Sequence, residues 1–351
     1  MENLDTHSLL PGVPLIESPL FYSLLDSQDF TPEERDIAIQ LHTKGYAVID
    51  FPDRFLNLRA EQIKHDLAHQ FDLAQWQKTG WKTNNSLRIQ DAWQYHADVK
   101  SIATNPHIIA LLSRLYGKPA FAFQTLNFPV GTQQHVHTDS IHFSSVPERY
   151  MCGVWVALED IHPDAGPLIY YPSSHKWPII YNEMLEKRIG RTTYSLAQEP
   201  YEPVWRAMIN ALGAESEIFC AKKGQALIWA ANLLHGGSKQ INPTLTRWSQ
   251  VTHYYFDNCT YYTPAFSDNF LGNLYLREPY DIAKGHKRES IYINEKTTTL
   301  LKDTQPEYPT TFPNDFDAAR YYQLNPDVSS SGIDAEYHYK NFGMQERRQY
   351  K

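Results

Sequence analysis

The hydrophobic pattern changes its period once along this chain. Up to Tyr116 it reads as helices around one short strand; after Pro119 it breaks into short apolar and aromatic blocks. Thr31-Pro32-Glu33-Glu34 has the form of a helix start, with a hydroxyl cap, proline at the first turn and glutamate three residues on. That helix is predicted to run to Lys44, with Gly45 ending it, and Tyr46–Phe51 is predicted as a strand. Leu58–Lys78, Ala92–Ala103 and Pro106–Tyr116 are predicted as further helices. Beyond Pro119, strands are predicted at 121–128, 133–139, 153–160 and 167–175. They resume at 216–223, 225–231 and 247–256, after a helical insert at Pro178–Ile189 and about Pro200–Ala211. Short strands with few helices between them predict an antiparallel sandwich or barrel, and a two-sheet jelly roll fits. The fold class is therefore mainly β with flanking helices.

Composition narrows the function without naming it. The 351 residues are 42% hydrophobic and 21% charged, as in globular domains. The net charge of −8, with no basic run beside an aromatic cluster, argues against a nucleic-acid partner. No apolar run approaches the roughly 18 residues of a membrane span. The opening MENLDTHSLLPGVPLIESPL has neither a basic segment nor an A-x-A pattern, so a secretory leader is not expected. Cys152, Cys220 and Cys259 are widely spaced and odd in number, which fits a reducing, cytoplasmic setting with inert thiols. Fifteen histidines point to imidazole–carboxylate metal chemistry.

A mononuclear iron site needs two imidazoles and one carboxylate, with positions left open for other ligands. His-x-Asp on a strand places two such groups on one face. The chain has three occurrences: His96/Asp98, His137/Asp139 and His162/Asp164. The first falls in a predicted helix, and the third in a Pro-Asp-Ala-Gly turn. Only His137/Asp139 ends a strand-like segment of the β region, where it reads as a metal pair or as a polar loop start. His235 follows the strand Gln225–Ala231, and Arg247 opens the next strand twelve residues later. A 2-oxo dicarboxylate bound to iron through its oxo-acid end needs a deep cation for its far carboxylate, and arginine suits that task. Ser249 would face the same side as Arg247.

Three blocks, QQHVHTDSIHF (133–143), GVWVALEDIHPDAGPLIYYPSSHK (153–176) and GQALIWAANLLHGGSKQINPTLTRWSQVTHYY (224–255), resemble the phytanoyl-CoA dioxygenase family. The helix and strand of Thr31–Phe51 resemble that family's opening. The resemblance implies a double-stranded β-helix (jelly-roll, cupin-like) core and an oxygenase using Fe(II), 2-oxoglutarate and O2. It implies that His137, Asp139 and His235 bind iron. It implies that Arg247, helped by Ser249, clamps 2-oxoglutarate, and that Trp155 lines the cosubstrate pocket. Asn242 would shape the loop between His235 and Arg247. Ser173 departs from the family, which usually has glycine there. Asp139 disfavours halogenation, for which some relatives give up the carboxylate. Hydroxylation of an unactivated C–H bond in a small or carrier-linked metabolite is the default reaction, with desaturation or cyclisation open to the same ligands. A jelly-roll isomerase or lyase and a non-catalytic ligand-binding protein are the rival readings.

Other residues have plainer readings. His135 reads as a polar rim residue or a support of the ligands or substrate, Arg149 as an exposed loop residue or a contact for an anionic substrate group, His175 as structural or a support behind the ligands, and His253, Tyr254 and Tyr255 as packing. His142 flanks the mouth of the site. Cys152 and Cys220 are expected to be buried. The expected organisation is an arm at 1–30, a catalytic domain at 31–312 with its β core near 121–256, and a small helical module at 313–351. The last segment, FDAARYYQLNPDVSSSGIDAEYHYKNFGMQERRQYK (316–351), is expected to form two short helices. Tyr321, Tyr322, Tyr337, Tyr339 and Phe342 would make their contact. It resembles a short motif at the ends of bacterial glycosyltransferases and surface-polysaccharide proteins. That resemblance implies a bacterial source, leans the substrate toward carbohydrate or secondary metabolism, and suggests docking to another protein.

Overall fold

The computed structural model describes residues 9–79, 88–132, 135–188, 198–293, 295–296, 312–331, 333–344 and 348–350. The predicted opening helix spans Pro32–Lys44, and its capping box is complete: Glu34 N donates to Thr31 Oγ1, and Thr31 N donates to the Glu34 carboxylate. Gly45 ends the helix at φ 83°, where His175 also packs so closely that a Cβ would stand 2.5 Å from its Nδ1.

The helix predicted over 58–78 is two helices, Leu56–Leu67 and Leu73–Thr79. Asp72 separates them by accepting from Gln75 N and starting the second. His96 likewise divides the segment predicted as Ala92–Ala103. Its ring accepts from Val99 N and caps a helix over Ala97–Ala103. Pro106–Tyr116 is helical as predicted. The insert near 178–189 holds only a 3-10 turn, Asn182–Leu185, because the Asn182 amide is committed to the carbonyls of Pro264, Ala265 and Ser267. Its last residue, Ile189, lies outside the described residues. The second part of the insert is a helix, Glu202–Leu212. Residues 9–30 are more than a strap: Phe21–Asp26 is helical, and Ile16, Phe21 and Leu25 join the main core.

The principal strands are β1 (Tyr46–Asp50), β2 (Ile89–Gln90), β3 (Ala120–Phe128), β4 (Ser144–Val146), β5 (Met151–Ala157), β6 (Leu168–Tyr170), β7 (Glu217–Phe219), β8 (Gln225–Ala230), β9 (His235–Gly237), β10 (Ser249–Phe256) and β11 (Thr260–Tyr262). The large sheet has the order β1-β8-β5-β10-β3-β2, the small one β7-β6-β9, and β11 pairs β4; all pairings are antiparallel. This is the jelly-roll core. The segment predicted as a strand at 133–139 is not one: His137 makes a single bridge to His235, and residues 133–134 lie outside the described residues.

Strand alternation decides what reaches the barrel interior. Trp155 and Ala157 of β5, Leu227 and Trp229 of β8 and Val251 of β10 face the small sheet. Their neighbours Val154, Val156, Ala226 and Ile228 face the helices. β10 is central and buried along its whole length. β7 is an edge strand with one open side, so Cys220 just beyond it is exposed rather than buried, whereas Cys152 is buried as expected.

The C-terminal segment forms three short helices, Ala318–Leu324, Pro326–Ser331 and Ala335–His338, then a π turn. Tyr321, Val328, Ala335 and Tyr339 make its core, with Tyr322 packed against them. Tyr337 is 51% exposed. The Phe342 side chain lies outside the described residues. Among the described residues no helix is long and apolar enough to cross a membrane.

Candidate active site

The barrel interior holds a cavity of about 700 Å3, whose wall includes His137, Asp139, His235, Trp155 and Arg247. Backbone pairing brings the two histidines together. His137 N donates to His235 O at 2.8 Å, and His235 N to His137 O at 2.9 Å, so their rings lie 4.5 Å apart. In each ring Nδ1 faces a carbonyl, that of His135 at 3.0 Å and that of Leu233 at 2.9 Å. A carbonyl only accepts, so each Nδ1 carries the proton and each Nε2 presents its lone pair.

Both Nε2 atoms face Asp139 Oδ1, at 3.8 Å from His137 and 3.9 Å from His235. These separations are too long for hydrogen bonds. One donor atom from each of the three residues lies within 4.8 Å of the others. The other carboxylate oxygen, Oδ2, accepts from Trp229 Nε1 at 2.8 Å and lies 3.7 Å from His253 Nε2. Two imidazoles and one oriented carboxylate on one buried face are a donor set that fits Fe(II).

Burial and charge set the protonation states. Burial and the neighbouring His235 lower the His137 pKa to about 3, which keeps its imidazole neutral. Burial alone would raise that of Asp139. His235, His253, His137 and the Trp229 hydrogen bond outweigh it and lower the value to about 2. His142 and His253 are held near about 4, first by burial and then with help from Arg88 and Arg277.

Arg247 is 2% exposed, and burial lowers its pKa to about 10, still charged at neutral pH. Its guanidinium donates to Gly166 O at 3.1 Å and lies 5.9 Å from the Phe128 ring, while its Nε has no partner. It makes no ion pair among the described residues. A buried cation without its anion fits the far carboxylate of 2-oxoglutarate. Trp155 Nε1 is also buried and unpartnered, and both side chains line the cavity. Ser249 Oγ is buried and unpartnered as well, but Ser249 is not on the cavity wall.

The remaining candidates fall elsewhere. Exposed His162 caps a turn through Asp164 N, and His135 is exposed, matching its rim reading. Arg149 is not an exposed loop residue: it pairs with the Glu17 carboxylate and donates to His175 O. His175 is structural, with Nε2 on His42 O at 3.2 Å. Asn242 shapes its loop, accepting from Thr244 N and Oγ1. Ser173 holds the left-handed turn that glycine would favour, at φ 65°, and its Oγ donates to Thr43 O.

Sequence reasoning missed Trp229, Arg88 and Arg277, and it read His253 as packing. The structure corrects that last reading, because His253 lines the cavity beside Asp139. Its parity was a usable signal: residues 247, 249, 251 and 253 share one face of an extended strand.

A family model described as phytanoyl-CoA dioxygenase (PhyH) matches residues 44–247. Two of the solved structures that resemble the chain illustrate the likeness. One is SnoK, a non-heme alpha ketoglutarate dependent carbocyclase from nogalamycin biosynthesis, at 18% identity and TM-score 0.50, covering 72% of this chain and 93% of SnoK. The other is EctD from S. alaskensis with 2-oxoglutarate and 5-hydroxyectoine, at 17% identity and TM-score 0.50, covering 75% of this chain and 89% of EctD. At these identities the likeness is one of fold. No curated protein matches the chain.

Proposed function

The chain belongs to the phytanoyl-CoA dioxygenase family of Fe(II)- and 2-oxoglutarate-dependent oxygenases, and from that premise we propose that it hydroxylates an unactivated C–H bond of a small molecule. The observation that carries the reading is the buried triad sharing one cavity with an ion-pair-less buried arginine. His137, Asp139 and His235 would hold the iron. Arg247 would bind the far carboxylate of 2-oxoglutarate, with Trp155 beside it and Ser249 Oγ as a supporting donor. Iron with 2-oxoglutarate and O2 supplies the oxidising power for C–H cleavage, as 2-oxoglutarate is converted to succinate and CO2.

The chain's own residues prepare that chemistry. The carbonyls of His135 and Leu233 fix both imidazole tautomers. Trp229 holds one oxygen of Asp139 and leaves the other toward the histidines. Leu126, Phe128, Leu168 and Val251 supply the apolar part of a wall that also carries polar and cationic side chains. The catalytic unit proposed is 31–312, with 313–351 as an appended module.

Anaerobic visible absorption with Fe(II) and 2-oxoglutarate tests the reading. A charge-transfer band is expected in the parent and not in His235→Ala. Bound metal without the band would favour a jelly-roll isomerase or lyase, and no metal would favour a ligand-binding protein. Succinate release coupled to a product gaining one oxygen supports hydroxylation. A product that loses two hydrogens instead would indicate the ring closure or desaturation chemistry of which SnoK is one example.

A further inference from the structure

The cavity has a second cationic end. Besides Arg247, its wall carries Arg277 and Arg88, whereas Asp139 is the one carboxylate among the described lining residues. Arg277 comes from the segment after β11, which the sequence left unassigned. Its Nη1 donates to Thr263 Oγ1 at 3.1 Å, and its guanidinium carbon lies 4.7 Å from the centre of the Phe143 ring. Its Nε is buried without a partner, and Arg277 makes no ion pair among the described residues. Phe143 lies 5.1 Å from the His253 ring, whose Nε2 is 3.7 Å from Asp139 Oδ2.

Arg277 is therefore one aromatic layer from the His253 side of the triad. Arg247 stands instead with Gly166 and Phe128, six residues before His253, or about 20 Å of extended chain. The two arginines thus reach the cavity from different parts of the fold. On the oxygenase reading, Fe(II), Asp139, Arg247 and dianionic 2-oxoglutarate cancel in charge, and Arg277 is left facing the cavity without an anion. A partly buried guanidinium in that position favours an anionic ligand over a neutral one.

We propose that the Arg277 end of the cavity binds an anionic group, a carboxylate or a phosphate, of the primary substrate. The substrate class is then an acidic small molecule and not a neutral sugar. Phe143 and Phe266, both on the wall, would flank the body of that molecule.

This inference rests on the oxygenase reading for its second ligand, so the test separates the two. The full chain, loaded anaerobically with Fe(II) and 2-oxoglutarate, is titrated calorimetrically with inorganic phosphate and with acetate. Saturable binding is expected, weakened about tenfold or more in Arg277→Gln and largely kept in Arg277→Lys. Arg277→Gln should leave 2-oxoglutarate binding unchanged. The same titrations on metal-free Arg247→Gln protein read Arg277 even if 2-oxoglutarate binds nowhere, so failure of the oxygenase reading leaves this test standing. Preference for phosphate or for acetate assigns the group. Absence of saturable anion binding, or equal affinity in the parent and Arg277→Gln, overturns the proposal. So does equal weakening in the Gln and Lys variants with a lowered melting temperature, which would make Arg277 a packing residue.

Discussion

Gly153→Ala should weaken iron binding although Gly153 touches neither the metal ligands nor the cavity. Gly153 of β5 lies opposite Trp229 of β8, and a Cβ there would stand 2.2 Å from Trp229 Cζ2 and 2.3 Å from Cε2. Ordinary contact begins at 3.4 Å, so the indole must recede by about 1.2 Å. Trp229 Nε1 is 2.8 Å from Asp139 Oδ2, and a shift of that size away from it would stretch the contact to about 4.0 Å, beyond a hydrogen bond. Asp139 would then lose the donor that fixes its rotation. The overpacking is expected to cost about 1–3 kcal/mol of stability. Losing an outer partner of a metal-binding carboxylate is expected to cost about 10–100-fold in metal affinity. The assay is Fe(II) competition against a chromophoric chelator under argon, alongside thermal melting. Trp229→Phe is the matched control, because it removes the N–H without adding volume. It should reproduce the affinity loss with less loss of stability. Parent-like affinity in both variants would refute the argument that Trp229 orients Asp139.

Four further outcomes follow from the same geometry. Asp139→Ala should abolish succinate formation while the circular dichroism spectrum stays native; full turnover would remove Asp139 from the site. Arg247→Ala should raise the 2-oxoglutarate requirement by the equivalent of about 2–4 kcal/mol, read from half-saturation of the charge-transfer band, and an unchanged value would mean another cation holds the cosubstrate. Burial, opposed by the His42 carbonyl, holds His175 near about 4 against an ordinary value of 6.5. The unfolded chain therefore binds the proton first as pH falls: the contribution of His175 to stability is full above about 6.5, falls by about 3 kcal/mol on the way to about 4, and does not change further below. Denaturant titrations of metal-free protein across that window should show the slope reduced in His175→Gln; an unchanged slope would clear His175. Ser173→Gly relieves a left-handed backbone worth about 1–2 kcal/mol but loses the bond to Thr43 O, so its melting temperature should change little, and a large drop would mean that the hydroxyl dominates.

Local signals carried much of this protein. The capping box at Thr31, the stop at Gly45 and the Pro106–Tyr116 helix depend on neighbours in sequence, and they formed as the pattern predicts. Where a side chain had a competing local bond, the pattern overran: Asp72 and His96 each cut a predicted helix by capping a new one. The His137/Asp139 pair, His235, Arg247 and Trp155 were legible through the order of their motifs and the family resemblance, and the fold brings all five to one wall. The sequence by itself thus determined the jelly-roll class, the family and the candidate metal and cosubstrate residues. Tertiary structure alone decided which groups surround them. Trp229 meets Asp139 only because Gly153 leaves room across a strand pair, and His253 arrives from another strand at the same carboxylate. Arg277 comes from a segment with no readable period and reaches the cavity only through its fit against Thr263 and Phe143. Such contacts depend on volumes and charges meeting across distant parts of the chain, which no local pattern encodes.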